Sequence, residues 1–247
     1  MTSPYSSSAN SSQPWDAFDT GWYLDHNYRT LRDDDQVIID RIGDHFAATC
    51  GRFLRGIDVG TGANLYPALA MLPYCDEITL WDRASSNVDW LRHEVMGYSR
   101  LWDKFWGELA GKARYRPVRD PRLELALVAT VRQGDIFRLP TARWDIGTMF
   151  FVAESLSGER AEFELAMAKF VGCLVPGAPF AAAFMAHSQG YVVGERAFPA
   201  VPIVADDVAR TLEAIAHNVD IHKIDTETPL RQGYDGMILA LGHAGRR

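Results

Sequence analysis

Residues 55–66 read Arg55-Gly56-Ile57-Asp58-Val59-Gly60-Thr61-Gly62-Ala63-Asn64-Leu65-Tyr66, and no other stretch constrains the fold as much. Phe53 to Val59 has the apolar character of a short buried strand. Gly60 to Gly62 makes a tight turn, and Asn64 to about Leu72 is an apolar, helix-like run. Strand, turn and helix in that order form the first unit of a doubly wound α/β sheet, whose ligands bind outside the carboxyl ends of the strands. Gly60 and Gly62 tolerate positive φ and let a ligand approach the backbone. A dinucleotide fingerprint needs a third glycine where Leu65 stands, and the G-x-x-x-x-G-K-[ST] phosphate loop is absent. What the loop has is an acid, Asp58, two residues before the first glycine.

At 247 residues the chain is long enough for one large domain or a domain with extensions, and 47% apolar residues supply a sizeable core. A net charge of −7 without a Lys/Arg block argues against nucleic acid or an anionic membrane as the main partner. The cysteines, Cys50, Cys75 and Cys173, have no metal-ligand spacing and leave one unpaired. A reduced, cytoplasmic protein without a metal site is therefore expected. No apolar run reaches the ~18 residues of a membrane span, and the N-terminus lacks the basic flank and apolar stretch of a signal peptide. Monomer and weak dimer both fit.

Residues 1–14 are rich in Ser and Asn and predict a disordered tail or a late-ordering lid. Asn10-Ser11-Ser12 matches a glycosylation acceptor in form only, since a cytosolic protein does not present it. Residues 15–247 are expected to form a single domain. Trp15, Phe18, Trp22, Tyr23 and Tyr28 then crowd together, either as an aromatic stripe packed on the body or as part of a lid over about 15–50. Tyr23 and Tyr28, five apart, do not share a helical face. A helix over Asp33–Cys50 follows, with Val37, Ile38, Ile42 and Phe46 near helical spacing. Glu77 to Asp82 is a second strand ending in an acid, about where doubly wound folds place the carboxylate that takes ribose hydroxyls, and Asn87 follows. An insertion over about 97–122 reads either as a cap over a site or as an extra packed helix.

Further strands are expected over Leu125–Gly134, Trp144–Val152 and Ala178–Met185, with a helix over Arg160–Cys173 between the last two. His187 to Phe198 reads as a loop and Val204 to Ala216 as a helix. Val219–Asp225 and Tyr234–Leu241 read as an antiparallel edge hairpin joined by a loop with Pro229 and Gly233.

Several of these segments, in order, resemble motifs of one family. Asp58-x-Gly60-x-Gly62 is similar to motif I of the class I S-adenosylmethionine (SAM) methyltransferases. SAM carries an ammonium and a sulfonium and no phosphate, which suits an acidic loop. Phe18-x-x-x-x-Tyr23-Leu24-x-x-x-Tyr28, Tyr66 after motif I, Asp82 with Asn87, Gly134-Asp135-Ile136, Leu174-Val175-Pro176-Gly177 and Tyr191-x-x-Gly194-Glu195 resemble the small-molecule N-methyltransferases that act on nicotinamide, phenylethanolamine and indolethylamine, including bacterial relatives. The resemblance runs from Phe18 to Gly242. It implies a seven-stranded, mostly parallel sheet with a reversed last strand and helices on both faces.

For the site, the resemblance implies that Asp58, Gly60 and Gly62 hold the methionine end of SAM, with Thr61 and Tyr66 also binding the cofactor. Asp82 and Asn87 would hold the ribose, and Asp135 and Ile136 the adenine. Tyr23, Tyr28 and Tyr191 would form a cage around the reacting centre. Two departures stand out. Glu154 aligns with one of the two carboxylates by which animal members grip an amine only if two extra residues are allowed, and Phe184 stands at the other. Ala200 replaces a serine that helps hold nicotinamide in one member. Nicotinamide and a two-acid grip on an ammonium are thus both disfavoured. The expectation is SAM-dependent methylation of a small acceptor, at nitrogen, giving S-adenosylhomocysteine (SAH). Glu154 is expected beside the acceptor or as a solvated helix cap, and His187 as a base or an ordinary loop residue. Transfer of another group from SAM, cyclisation of SAM, and a SAM-binding regulatory protein without turnover remain open alternatives.

Overall fold

A computed structural model of the protein describes residues 9–48, 53–225 and 235–245. Residues 1–8 of the expected tail, Cys50, Pro229 and Gly233 lie outside the described residues. The strands are β1 (Phe53–Val59), β2 (Cys75–Asp82), β3 (Ala129–Gln133), β4 (Ile146–Phe150), β5 (Pro179–Met185), β6 (Gly190–Val193), β7 (Arg196–Pro199), β8 (Ala216–Ile224) and β9 (Met237–Ala244). Seven of them form one sheet in the order β3-β2-β1-β4-β5-β9-β8, and β6 pairs with β7 separately. Pairing is parallel from β3 through β5, while β9 runs antiparallel to both β5 and β8. This is the expected mostly parallel sheet with a reversed last strand. The strand order reverses between β1 and β4, and a crevice opens above their carboxyl ends.

The helices are α1 (Thr20–Tyr28), α2 (Asp33–Ala47), α3 (Tyr66–Met71), α4 (Ser85–Glu94), α5 (Asp103–Ala110), α6 (Pro121–Val128), α7 (Arg160–Cys173) and α8 (Ala205–Glu213). Side chains of α2, α3 and α5 build the core on one face of the sheet, and those of α7 and α8 build it on the other. Strand β5 shows the period-2 logic. Phe180, Ala182 and Phe184 join the α7–α8 core, whereas Ala181, Ala183 and Met185 join the opposite one.

Three local differences from the sequence reading have physical causes. Leu125 to Val128 is helical, not strand: Asp120 caps α6 by accepting from the Leu123 N–H at 3.1 Å, and Pro121 sits at the first turn. The stretch expected as a loop after β5 contains the β6–β7 hairpin, turned at Gly194, whose φ of +59° suits a two-residue hairpin turn. The insertion over 97–122 is not a cap, for none of its side chains lines the main cavity. Its aromatic stripe meets α2 and α3 instead. Trp102, Phe105, Trp106 and Leu109 are buried, and Phe105 stacks on Tyr66 with ring centroids 5.8 Å apart. Each such side chain contributes about 1.5–3 kcal/mol by burial, which makes the insertion a buttress behind the glycine loop.

Candidate functional site

A cavity opens above the carboxyl ends of the parallel strands. Its β1–β3 half begins at the glycine loop. Gly60 has φ +67° and its amide donates to the Trp81 carbonyl at 2.6 Å. A Cβ there would lie 2.5 Å from Val152 Cγ2, so only glycine lets the loops after β1 and β4 pass. Gly62 donates its N–H to Asp82 Oδ2 at 2.8 Å. The other oxygen, Oδ1, accepts from the Ala84 N–H at 2.8 Å and from Asn87 Nδ2 at 3.2 Å. Burial raises the Asp82 carboxyl above its ordinary range, and the N–H groups of Ala84 and Gly62 pull it back. Asp82, Asn87, Thr61, Asp135 and Ile136 all line this half. Asp135 also caps a short turn by accepting from the Phe137 N–H at 2.9 Å, and its Oδ2 lies 3.4 Å from Arg83 Nη1.

Two residues expected here lie behind the wall instead. Asp58 is 1% exposed, and its Oδ1 accepts from Thr148 Oγ1 at 2.7 Å. Strand alternation turns its carboxyl under the loop, where burial pushes it up to about 7. Tyr66 is fully buried, donating its hydroxyl to Asp35 Oδ1 at 3.2 Å beneath α2. Burial raises the Tyr66 phenol well above its usual range and the Asp35 carboxyl to about 7. Both residues shape the loop from below without lining the cavity.

The N-terminal segment forms the roof. Residues 9–14, expected as part of a disordered tail, include a turn over Asn10–Ser12, and Asn10 is buried on the cavity wall. Asp19 caps α1 by accepting from the Trp22 N–H at 2.9 Å. Tyr23 and Tyr28, despite their five-residue spacing, both line the cavity, with ring centroids 6.2 Å apart. Burial lifts the Tyr28 phenol well above its usual range, with Tyr23 beside it adding to the shift. The roof is tied to the β2 end at several points. Thr20 Oγ1 donates to Asn87 Oδ1 at 2.7 Å, and the Ser85 N–H donates to Asp16 Oδ1 at 3.1 Å. Above the hairpin, Trp15 stacks on Phe198 at 5.2 Å, and Phe198 stacks on Tyr191 at 5.4 Å. The Tyr191 hydroxyl donates to the Ser155 carbonyl at 3.2 Å.

The β4–β5 half is built from Phe150, Phe151, Val152, Ser155, Leu156, Met185 and Tyr191, with Phe18 and Tyr23 above. Phe151 has φ +61°, a left-handed conformation unusual for an aromatic residue and one that bends the chain away as β4 ends. Glu154 is not on this wall. It is fully buried in the turn Ala153–Ser155, with Oε1 accepting from the Met185 N–H at 3.0 Å. It is thus neither beside the acceptor nor a solvated cap, because the turn after β4 aims it back at the end of β5. Phe184 packs against Phe163 in the α7–α8 core, 6.1 Å between ring centroids, and its neighbour Met185 reaches the cavity instead. His187 has φ +58°, is half exposed, and lies outside the cavity with Nε2 4.0 Å from Asp235. Among the described residues no cluster of three His, Cys, Asp or Glu could hold a metal ion, and no helix is long and apolar enough to cross a membrane.

The family model of the NNMT/PNMT/TEMT family matches residues 8–240. The chain belongs to that family. It is a SAM-dependent methyltransferase, and the wall described above suits that cosubstrate: a glycine loop without a phosphate-binding lysine beside a buried carboxylate that faces the cavity. Among solved structures it is similar to the N-methyltransferase NodS of Bradyrhizobium japonicum in complex with SAH, at TM-score 0.52 and 14% identity over 93% of this chain and 94% of that one. It is also similar to a SAM-dependent methyltransferase of Methanosarcina mazei, at TM-score 0.50 and 11% identity over 81% of this chain and 95% of that one. At such identities the likeness is one of fold. No curated protein sequence matches the chain.

Sequence reasoning missed Arg83, Phe150, Phe151, Val152, Ser155, Leu156 and Met185 as wall residues, and placed Asn10 and Trp15 only within a tail or lid. Strand ends carried the only usable signal: every residue within a few positions of the end of β4 or β5 is a wall candidate in a doubly wound sheet.

Proposed function

We propose that the protein transfers the SAM methyl group to a nitrogen of a small, neutral acceptor with a planar or apolar body. The observation that carries this reading is the contrast inside the cavity. Every carboxylate among its described wall residues, Asp82 and Asp135, belongs to the β1–β3 half. The β4–β5 half offers aromatic rings, Met185 and hydroxyls. A charged ammonium would be desolvated there without a counter-charge, at a cost of several kcal/mol. A neutral planar nitrogen compound would instead gain burial and ring contacts.

In this reading Asp82 and Asn87 take the ribose, Asp135 and Ile136 the adenine, and the Gly60–Gly62 backbone the methionine end. The hydrogen bonds that already orient Asp82 support its role, since a carboxylate fixed by N–H donors keeps lone pairs for ribose hydroxyls. Bound SAM supplies an electrophilic methyl on a sulfonium, attacked in line by the acceptor lone pair. The chain's contribution is alignment at about 3–3.5 Å and exclusion of water. Tyr23, Tyr28 and Tyr191 would surround the positive centre with ring faces. Among the described wall residues no ionisable base stands at the acceptor half, so the proton released by a methylated N–H leaves to solvent. Above the acceptor's own pKa the rate should therefore be flat with pH.

The test is turnover with SAM across a panel of neutral heteroaromatic nitrogen compounds and aliphatic ammonium amines, with both products identified. SAH together with N-methylated planar compounds is the expected result. Methylthioadenosine, O-methylation, or turnover confined to charged aliphatic amines would reject the reading.

A further inference from the structure

Asn10 opens a formal glycosylation acceptor, yet its side chain is 1% exposed and lies on the cavity wall. Its backbone is held on two sides. The N–H donates to Glu162 Oε2 of α7 at 2.8 Å, and the carbonyl accepts from Arg83 Nη1 at 3.2 Å. The side chain is oriented as well. Trp15 Nε1 lies 2.8 Å from its tip, and an indole N–H can only donate, so the atom facing Trp15 is Oδ1. The NH2 group is therefore turned away from Trp15, and no described residue accepts from it. Asn10 lies on the cavity wall, where an acceptor for that donor can arrive.

The position of Asn10 says which ligand atom that is. Arg83, which holds the Asn10 carbonyl, follows the β2-terminal Asp82 and also reaches Asp135 at the end of β3. In a doubly wound sheet the β2-terminal carboxylate takes the ribose hydroxyls. The base then lies beyond it, on the β3 side, where Asn10 closes the wall. We propose that Asn10 reads the adenine of SAM: Nδ2 donates to a ring nitrogen of the base, and Trp15 holds the amide in the required orientation. The inference rests on the assignment of the β1–β3 half to SAM.

The experiment is calorimetry of SAH and its 1-deaza, 3-deaza and 7-deaza analogues against wild type, Asn10→Asp and Asn10→Ala, with thermal melts to confirm folding. Asn10→Asp keeps the oxygen that Trp15 needs and removes the donor. Wild type should bind SAH, and one deaza analogue should bind about 3- to 10-fold more weakly, the worth of one hydrogen bond. Both variants should lose a similar factor with SAH and show no further loss with that analogue. Two results overturn the proposal: Asn10→Asp binding SAH as wild type does, or the variants losing the same factor with every analogue, which marks a packing role. Failure of wild type to bind SAH would instead sink the assignment of the half-cavity itself.

Discussion

The two halves of the cavity are built on opposite principles. The β1–β3 half is made of backbone amides, two carboxylates and a chain of hydrogen bonds running Thr20–Asn87–Asp82–Gly62. The β4–β5 half is made of rings and apolar side chains, and the acid beside it, Glu154, is spent on a backbone amide of β5. A half that serves one fixed ligand can specify each contact through backbone geometry. A half that serves a variable acceptor relies on shape, and shape is the property that changes most easily with single side chains.

The largest expected effect strikes the polar half alone. Asp82→Ala removes the carboxylate that fixes Gly62, Ala84 and Asn87 and faces the cavity. Charge-assisted hydrogen bonds are each worth about 1.5–3 kcal/mol, so SAH affinity by calorimetry should fall about 100-fold or more. At saturating SAM the acceptor KM should hardly move. If the KM rises as much as the cofactor affinity falls, the halves are not separable and the comparison breaks.

The next test is at the seam. Gly60→Ala places a Cβ 2.5 Å from Val152 Cγ2 and 2.8 Å from Cγ1, at a φ of +67°. Overpacking and left-handed strain together should cost roughly 2–4 kcal/mol in urea unfolding. Val152→Ala opens that space, so the double variant should be more stable than the sum of the singles by about 1 kcal/mol or more. Strict additivity would mean that the loops after β1 and β4 do not press on each other there.

How much of this was legible in the residues follows the same division. The glycine loop, Asp82, Asn87 and Asp135 could be read because backbone conformation and strand ends tie them to fixed positions. The mostly parallel sheet with a reversed last strand followed from the family resemblance that these motifs carry, whereas the strand order did not. Asp58 and Tyr66 belong to the same motif, yet a linear pattern does not show whether a side chain faces the cavity or the layer beneath. Glu154 and Phe184 were misplaced for a related reason. One residue decides the face of a strand, and a short turn after β4 redirects the acid. The wall at Phe150, Phe151 and Met185 was invisible as a site because apolar residues at strand ends read as core.

Charge behind the polar half gives a smaller effect with a definite sign. The Asp35 carboxyl, beneath Tyr66, is pushed up to about 7 by burial and by Asp34 beside it, against the Tyr66 hydrogen bond and Arg32. Below the unfolded value near 3.9 both states hold the proton, and the favourable contribution is complete. Between that value and about 7 the folded state keeps a proton that the unfolded chain releases, so stability falls as pH rises. Asp35→Asn stays neutral and its amide oxygen can still accept from Tyr66. Urea unfolding at pH 5 and pH 8 should show a shallower loss in the variant, which gains roughly 1–3 kcal/mol over wild type at pH 8. Asp58, also near 7, leaves part of the slope in place. Identical slopes would mean that Asp35 is ionised in the fold.

The smallest effect is the one that most sharpens the contrast. If the acceptor half has no working carboxylate, removing the charge of Glu154 should leave catalysis nearly intact. Glu154→Gln keeps an oxygen for the Met185 N–H, so turnover on every accepted substrate should stay within about threefold of wild type, far from the 10²-fold of a lost acid or base. Glu154→Ala removes the acceptor from a buried amide and should cost about 1–3 kcal/mol of stability, with SAH affinity little changed. The pair separates two roles that a single variant confuses. A structural residue shows its loss in unfolding and is rescued by glutamine; a catalytic one shows its loss in kcat and is not. A 10²-fold drop for Glu154→Gln in a protein of wild-type stability would place a proton-handling group in the apolar half and reverse the reading of the acceptor as neutral.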